Sequence, residues 1–257
     1  MKTIGLIPAR WESSRFPGKP LALISGKPMI WWVHRQCMCV PQFDDVVVAT
    51  DDRRIVQACE SFGAKAVMTS ASHPTGTDRI AEAAAELQAD LFVNVQGDEP
   101  LVAPEALGAL VDYCTAHPDV QAVNLIAPLA DAEQAQRESV VKVVCGIGGD
   151  ILYLSRSLIP GMKGGAAGRA ALEGATVPYY RQLGVYAIRP QVLSAFARYG
   201  KEEGKSPLER IEDVEMLRLI EHGVPVRALI TDEVSPAVDY PGDIAAIEAR
   251  IVSEREV

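Results

Sequence analysis

Three cations, Arg10, Arg15 and Lys19, are threaded through LIPARWESSRFPGKP at spacings of five and four, with Ser13, Ser14 and Gly18 among them. A loop this rich in small residues exposes backbone N–H groups, and its cations complement phosphate oxygens. It is not a Walker A loop, which needs GxxxxGK[ST], and it has no GxGxxG. Further along, VQGDEP sets Gln96, Asp98 and Glu99 just past an apolar run. Acids there suit Mg²⁺, a hard ion that also binds substrate phosphates, although the same letters suit a strand-terminating turn. A second acid is wanted, and Asp239, Asp243, Asp51 and Asp52 are the candidates. In HPTGTDRIAE, Thr75 and Thr77 flank Gly76 ahead of Asp78 and Arg79, as a polar pocket wall or as a helix N-cap. YYRQLGVY presents Tyr180, Arg181, Gln182 and Tyr186, and Arg with polar partners suits an acidic, hydroxylated ligand. The acids of SPLERIEDVEMLR, Glu209, Glu212 and Glu215, read on spacing alone as a solvated helix face. There is no GxSxG, no HExxH and no Cys/His nucleophile pair, and His73 is the one histidine beside a candidate site. Phosphate-binding cations and a metal acid without a protein nucleophile point to phosphoryl or nucleotidyl transfer by positioning and charge neutralisation.

The elements that must hold these residues alternate. TIGLIPA, DDVVVATDD, AKAVMTS, ADLFVNVQGDEP and QAVNLIAPL read as strands. GKPMIWWVHRQCMC, RRIVQACESFG, TDRIAEAAAEL and PEALGALVDYCTAHP read as the helices between them. This pattern predicts an α/β fold with a mostly parallel sheet covered by helices on both faces. Ligands of such sheets bind beyond the carboxyl ends of the strands, where the basic loop, the DD turn and QGDEP would all open. From about residue 129 the regularity weakens. KVVCGIGGDILYLSR reads as two strands around a Gly-rich turn, and Gly161 to Thr176 as a Gly/Ala-rich loop or linker. YYRQLGVYAIRP resumes as a strand, SPLERIEDVEMLRLIEHG reads as one charged helix, and PVRALIT and DIAAIEARIVSE read as a last strand and helix. One domain over 1–257, with an insertion at about 129–200, is the expected organisation.

Composition excludes several roles. A net charge of −9 argues against general nucleic-acid or acidic-membrane binding, and sharpens the contrast of the basic loop. No apolar run approaches the length of a membrane span, and the N-terminus lacks a signal-peptide pattern, so a cytoplasmic address is expected. Cys37, Cys39, Cys59, Cys114 and Cys145 offer only a lone CxC, a poor zinc site, and read as buried, reduced thiols.

Taken in order, LIPARWESSRFPGKPL, VVVATDD, HPTGTDRIAE, FVNVQGDEPLV, VVKVV, LYLSRSLIP, LGVY, SPLERIE and VDYPGD resemble the 3-deoxy-manno-octulosonate (KDO) cytidylyltransferases across nearly the whole chain. The resemblance implies a three-layer αβα, nucleotide-diphospho-sugar transferase-like fold and a homodimer built through the insertion. It implies CTP as donor, Mg²⁺ as cofactor and a small sugar acid as acceptor, on the route to lipopolysaccharide. Carried over, Arg10, Ser13, Ser14, Arg15 and Lys19 would hold the triphosphate, with Arg10 and Lys19 beside the reacting phosphate. Asp98 and Asp239 would ligate Mg²⁺, and Thr77, Asp78, Arg79 and Gln96 would line the nucleotide pocket. Arg156, Gln182, Tyr186 and Glu209 or Glu215 would face the acid. The departures cluster. Where the family reads RHLGIY, LEQLR and VDTPED, this chain reads RQLGVY, VEMLR and VDYPGD, so Gln182, Met216, Tyr240 and Gly242 are its own. Cytidylyl transfer is therefore expected, with the acceptor open among KDO, its 8-amino analogue, a nonulosonate and a phosphonate.

Overall fold

Every residue of TIGLIPA is buried, and this run forms β1 (Thr3–Ala9) in the interior of the sheet. The computed structural model describes residues 1–13, 16–129, 132–161, 163, 179–233 and 236–255. Ser14, Arg15 and almost all of the Gly161 to Thr176 stretch lie outside the described residues.

On one side β1 pairs in parallel with β4 (Asp45–Thr50), which pairs with β5 (Lys65–Met68); on the other it pairs with β6 (Leu91–Val95). Then comes β10 (Tyr180–Ile188), which runs antiparallel to both β6 and β7 (Ala122–Pro128), and β11 (Arg227–Ile230) closes the edge parallel to β7. A hairpin of β8 (Lys142–Cys145) and β9 (Ile151–Ser155) pairs with the start of β10. The order is β11-β7-β10-β6-β1-β4-β5, and β2 (Leu23–Ile24) and β3 (Lys27–Pro28) form a separate small ribbon. The mostly parallel αβα expectation therefore holds, with β10 inserted against the grain.

Helices α1 (Met29–Met38), α2 (Arg53–Ser61) and α4 (Pro104–Ala116) cover one face, where Ile30, Val33, Ile55, Leu107 and Leu110 pack on Val48, Val93 and Val185. The other face carries α3 (Gly76–Ala84), α6 (Pro190–Glu203) and α8 (Met216–Glu221), packed through Ile80, Phe196 and Leu217. A short α5 (Ala132–Gln136) follows β7. The terminal α9 (Ile244–Arg255) packs Ile247 and Ile251 against Ile24, Met29 and Trp32, in a cluster that also buries Val238. That third cluster fixes the segment carrying Asp239.

Three expectations need correction. The stretch read as one helix is α7 (Pro207–Glu212) and α8, separated by Asp213 in the left-handed region at φ 51. The acids on it are not a solvated face either, since Glu209 is only 1% exposed. Helix α6 has no counterpart in the sequence reading, although Pro190 at its first turn and Gly204 at its end carry the usual start and stop signals. Of the cysteines, Cys37, Cys59 and Cys114 are buried free thiols, whereas Cys39 is exposed.

Candidate active site

The carboxyl ends of β1 and β6 open into a cavity of about 400 Å³, within the range of small-ligand sites. Its floor depends on a close approach: a β-carbon on Gly97 would lie 2.8 Å from the Pro8 carbonyl oxygen, so the QGDEP loop can cross β1 only with glycine there. Gly18 has a comparable role in the basic loop, at φ 70 with its N–H on the Trp11 carbonyl at 2.9 Å. It delivers Lys19, which starts a one-turn 3-10 helix, into the cavity.

Lys19 donates to Asp98 Oδ2 at 2.7 Å and to the Val238 carbonyl at 2.9 Å. The Val238 N–H in turn donates to the Asp98 carbonyl at 2.9 Å. Three segments far apart in sequence, at residues 19, 98 and 238, are thus cross-tied, and Asp239 beside them lines the same cavity. Asp243 is turned to another task, accepting the backbone N–H groups of Asp239 and Tyr240 at 2.8 Å each. Asp51 accepts from Arg79 Nη2 at 2.7 Å, and Asp52 caps α2, so these acids serve the fold. Among the described residues no cluster of three or more His, Cys, Asp or Glu side chains could hold a metal alone. The donor set at Asp98 and Asp239 nevertheless fits Mg²⁺, which takes one or two carboxylates and completes its shell with substrate phosphates and water.

Arg10, Ser13, Lys19, Arg79 and Gln96 line the cavity. Thr75 caps α3 by accepting the Asp78 N–H, so the cap reading of that stretch is correct in geometry. Thr77 and Asp78 face away from the cavity lining. The Asp78 carboxylate is buried on Arg218 and Thr75, and the Thr77 hydroxyl donates to Glu215. Glu215 also accepts the Gly76 and Thr77 N–H groups at 2.9 and 3.1 Å, a carboxylate at a helix N-terminus, where the dipole favours it. Burial nevertheless pushes the Glu215 carboxyl up from its usual range. Opposite the basic loop, Lys205, Glu209, Asp213 and Glu215 form the wall. His73 lines the cavity while pairing with Glu82.

Three acceptor-side candidates also lie outside the cavity lining. Arg156 lies behind Asp213, donating to the Glu212, Glu138 and Asp213 carbonyls at 2.5, 3.0 and 3.0 Å. Tyr186 is buried beside Gln96, which shares a hydrogen bond with its hydroxyl, and burial raises that phenol well above its ordinary value. Gln182 Nε2 donates to Asn124 Oδ1 at 2.7 Å, and Asn124 in turn donates to the Leu183 and Val185 carbonyls across an irregularity in β10. Met216, at the other family departure, is wholly buried in the core.

Glu99, named with Asp98 among the acids of VQGDEP, has a structural part that the sequence does not indicate. Its carboxylate is buried and accepts the Gly184 N–H at 2.7 Å, tying the QGDEP loop to β10. Burial first, then the neighbouring Asp98, push it from about 4.5 up to about 7. Between those values the folded chain holds a proton that the unfolded chain has released, so this group's contribution to stability falls as pH rises through the window. A glutamine in its place would keep the hydrogen bond without the charge. Glu99→Gln is expected to gain stability relative to wild type by up to about 3 kcal/mol at pH 8 and little at pH 5. Denaturant titrations at both pH values check this, and an equal difference at the two would contradict it.

Known proteins share this sequence and geometry. The sequence profile of a family described as cytidylyltransferase matches residues 4–228. A 3-deoxy-manno-octulosonate cytidylyltransferase from Myxococcus xanthus is 44% identical over 96% of this chain and 96% of its own. An 8-amino-3,8-dideoxy-manno-octulosonate cytidylyltransferase from Shewanella halifaxensis is 42% identical over 96% of this chain and 97% of its own. Among solved structures, a CMP:2-keto-3-deoxy-manno-octonic acid synthetase complexed with CTP superposes with a TM-score of 0.86 at 37% identity, covering 99% of this chain and all of that one.

Proposed function

Because this chain belongs to the 3-deoxy-manno-octulosonate cytidylyltransferase family, we propose that it transfers CMP from CTP to KDO or a close acidic analogue, releasing pyrophosphate. The observation that carries this reading is the convergence of the Lys19–Asp98 pair, Asp239 and the Glu209–Glu215 wall on one cavity. Arg10 and Lys19, with Arg15 and the serines of the same loop, hold the triphosphate. Lys19 is already oriented by Asp98 and Val238, so little conformational freedom is lost when phosphate arrives. Asp98 and Asp239 would hold Mg²⁺, which would supply positive charge to offset the phosphates facing the attacking oxygen. Arg79 and Gln96 line the nucleotide side, while Thr77 and Asp78 brace it through Glu215 and Arg218.

Across the cavity Glu209 and Glu215 accept hydrogen bonds from hydroxyls of the acid, and Arg156 and Tyr186 support that wall from behind. The acceptor's anomeric hydroxyl gives its proton to water while its oxygen forms a bond to the α-phosphorus, the α–β phosphoanhydride breaks, and the pyrophosphate leaves on the cationic loop. The enzyme works as a homodimer assembled through the insertion at about 129–200, in the cytoplasm, on the lipopolysaccharide precursor route. Among the described residues no helix is long and apolar enough to cross a membrane.

A second reading concerns the acceptor alone. Gln182 is held by Asn124 and Met216 is buried, so neither presents a polar group to the cavity. With the amino-sugar relative at 42% identity, this favours 8-amino-KDO as an alternative acceptor. Pyrophosphate release from CTP and Mg²⁺ with KDO, 8-amino-KDO, a sialic acid and a small phosphonate tests both. Release with either octulosonate is expected. Release with only the sialic acid or the phosphonate would sink the acceptor assignment, and silence with all four would sink the transfer itself.

A further inference from the structure

Lys205 lines the acceptor side of the cavity, and no step above uses it. Its backbone is fixed on both sides. Gly204 turns the chain at φ 74 after α6, and the Lys205 carbonyl accepts from Arg210 Nη2 at 3.1 Å. The next residue, Ser206, caps α7, with its N–H on Glu209 Oε2 at 3.1 Å and its hydroxyl on Glu221. From this strut the ammonium reaches Asp213 Oδ1 at 2.5 Å.

Asp213 is itself unusual. It holds a left-handed backbone between two helices, a conformation that Asp and Asn tolerate better than most residues. Its carbonyl accepts from Arg156 Nη2 at 3.0 Å. Lys205 first, then the more distant Arg156 and Arg10, hold its carboxyl below the usual range. A single carboxylate at the cavity wall therefore sits among converging cations, as the carboxylate of an acid acceptor would need to. The pair is partly exposed, at 27% for Lys205 and 65% for Asp213, so solvent weakens it and an incoming carboxylate can exchange for it.

We propose that Lys205 is an acceptor-binding residue that takes the carboxylate of the acid, and that Asp213 holds its ammonium until the acid arrives. The inference rests on the sugar-acid reading above. Steady-state kinetics with CTP and whichever octulosonate the wild type turns over provide the test. Lys205→Met is expected to raise the KM for the acid about 10-fold, the loss of one charge-assisted contact. Its kcat and its KM for CTP should stay within about 2-fold. Lys205→Arg should recover most of the loss. Asp213→Asn removes the competing carboxylate while keeping a side chain suited to the left-handed backbone, so it should lower the acid KM a few-fold. An unchanged acid KM in Lys205→Met, or a CTP KM that rises with it, would overturn this inference alone. A wild-type chain that turns over neither octulosonate would remove the sugar-acid reading and this one together.

Discussion

Asp98→Asn is expected to lower turnover about a thousand-fold while leaving the fold intact. Both halves of the expectation follow from where Asp98 stands. Its carboxylate is about one-third exposed at the cavity and pairs with Lys19 at 2.7 Å. An amide at that position still accepts from Lys19, so the cross-tie between residues 19, 98 and 238 survives. Little folding stability is at stake, because partly exposed pairs contribute about 0–1 kcal/mol. What the amide lacks is the negative charge that holds a hard divalent cation against substrate phosphates. The loss should therefore appear in kcat and in the Mg²⁺ concentration needed for half-maximal rate, with the melting temperature within a few degrees of wild type. Turnover within about 10-fold of wild type at ordinary Mg²⁺ would remove the metal role from Asp98.

The largest effect on stability is expected at Arg218. This guanidinium is fully buried and bonds two carboxylates at once, with Nε and Nη2 on Glu209 at 2.8 and 2.7 Å and Nη1 on Asp78 at 2.6 Å. It also lies 3.9 Å from the Phe196 ring. Three pieces of the cavity wall, α3, α7 and α8, are joined through this one side chain. Arg218→Met keeps the length of the stem but strands two buried carboxylates without a counter-charge, a change that costs about 3–5 kcal/mol. At about 2–4 °C per kcal/mol for a chain of this size, the melting temperature should fall by roughly 10 °C. Arg198→Ala is the matched control. Its pair with Glu202 is exposed, at 3.8 Å, and its loss should be within about 0.5 kcal/mol. A loss below about 1 kcal/mol in Arg218→Met would contradict an ionic network that joins these three elements.

The parts of the fold legible in sequence were those written in local patterns. TIGLIPA and DDVVVATDD are short apolar runs because β1 and β4 are covered on both faces, and their parallel pairing brings their following loops to one edge. The parallel rule therefore groups the basic loop with QGDEP from sequence alone. What escaped was set by contacts distant in sequence or by backbone torsion. Apolar residues continue at helical spacing from Leu208 through Ile211 to Val214, so the break at Asp213 leaves no mark in the pattern, and Ile211 ends up 79% exposed. Glu209 reads as a surface acid because its partner Arg218 also binds Asp78, 140 residues earlier. Glu99 depends on an N–H from β10, a strand that arrives 85 residues later and runs against its neighbours. Gln182 reads in sequence as an acceptor contact, whereas its amide bonds Asn124 across the pairing of β10 with β7.

Which phosphorus is attacked is the central question for this enzyme. Phosphorus NMR of one incubation of the enzyme with CTP, Mg²⁺ and KDO or 8-amino-KDO reads this directly. A phosphodiester signal growing with pyrophosphate in equal amounts is the predicted result, since attack at the α-phosphorus joins CMP to the acid. CDP with inorganic phosphate, or CTP left unchanged with both acids, would contradict it.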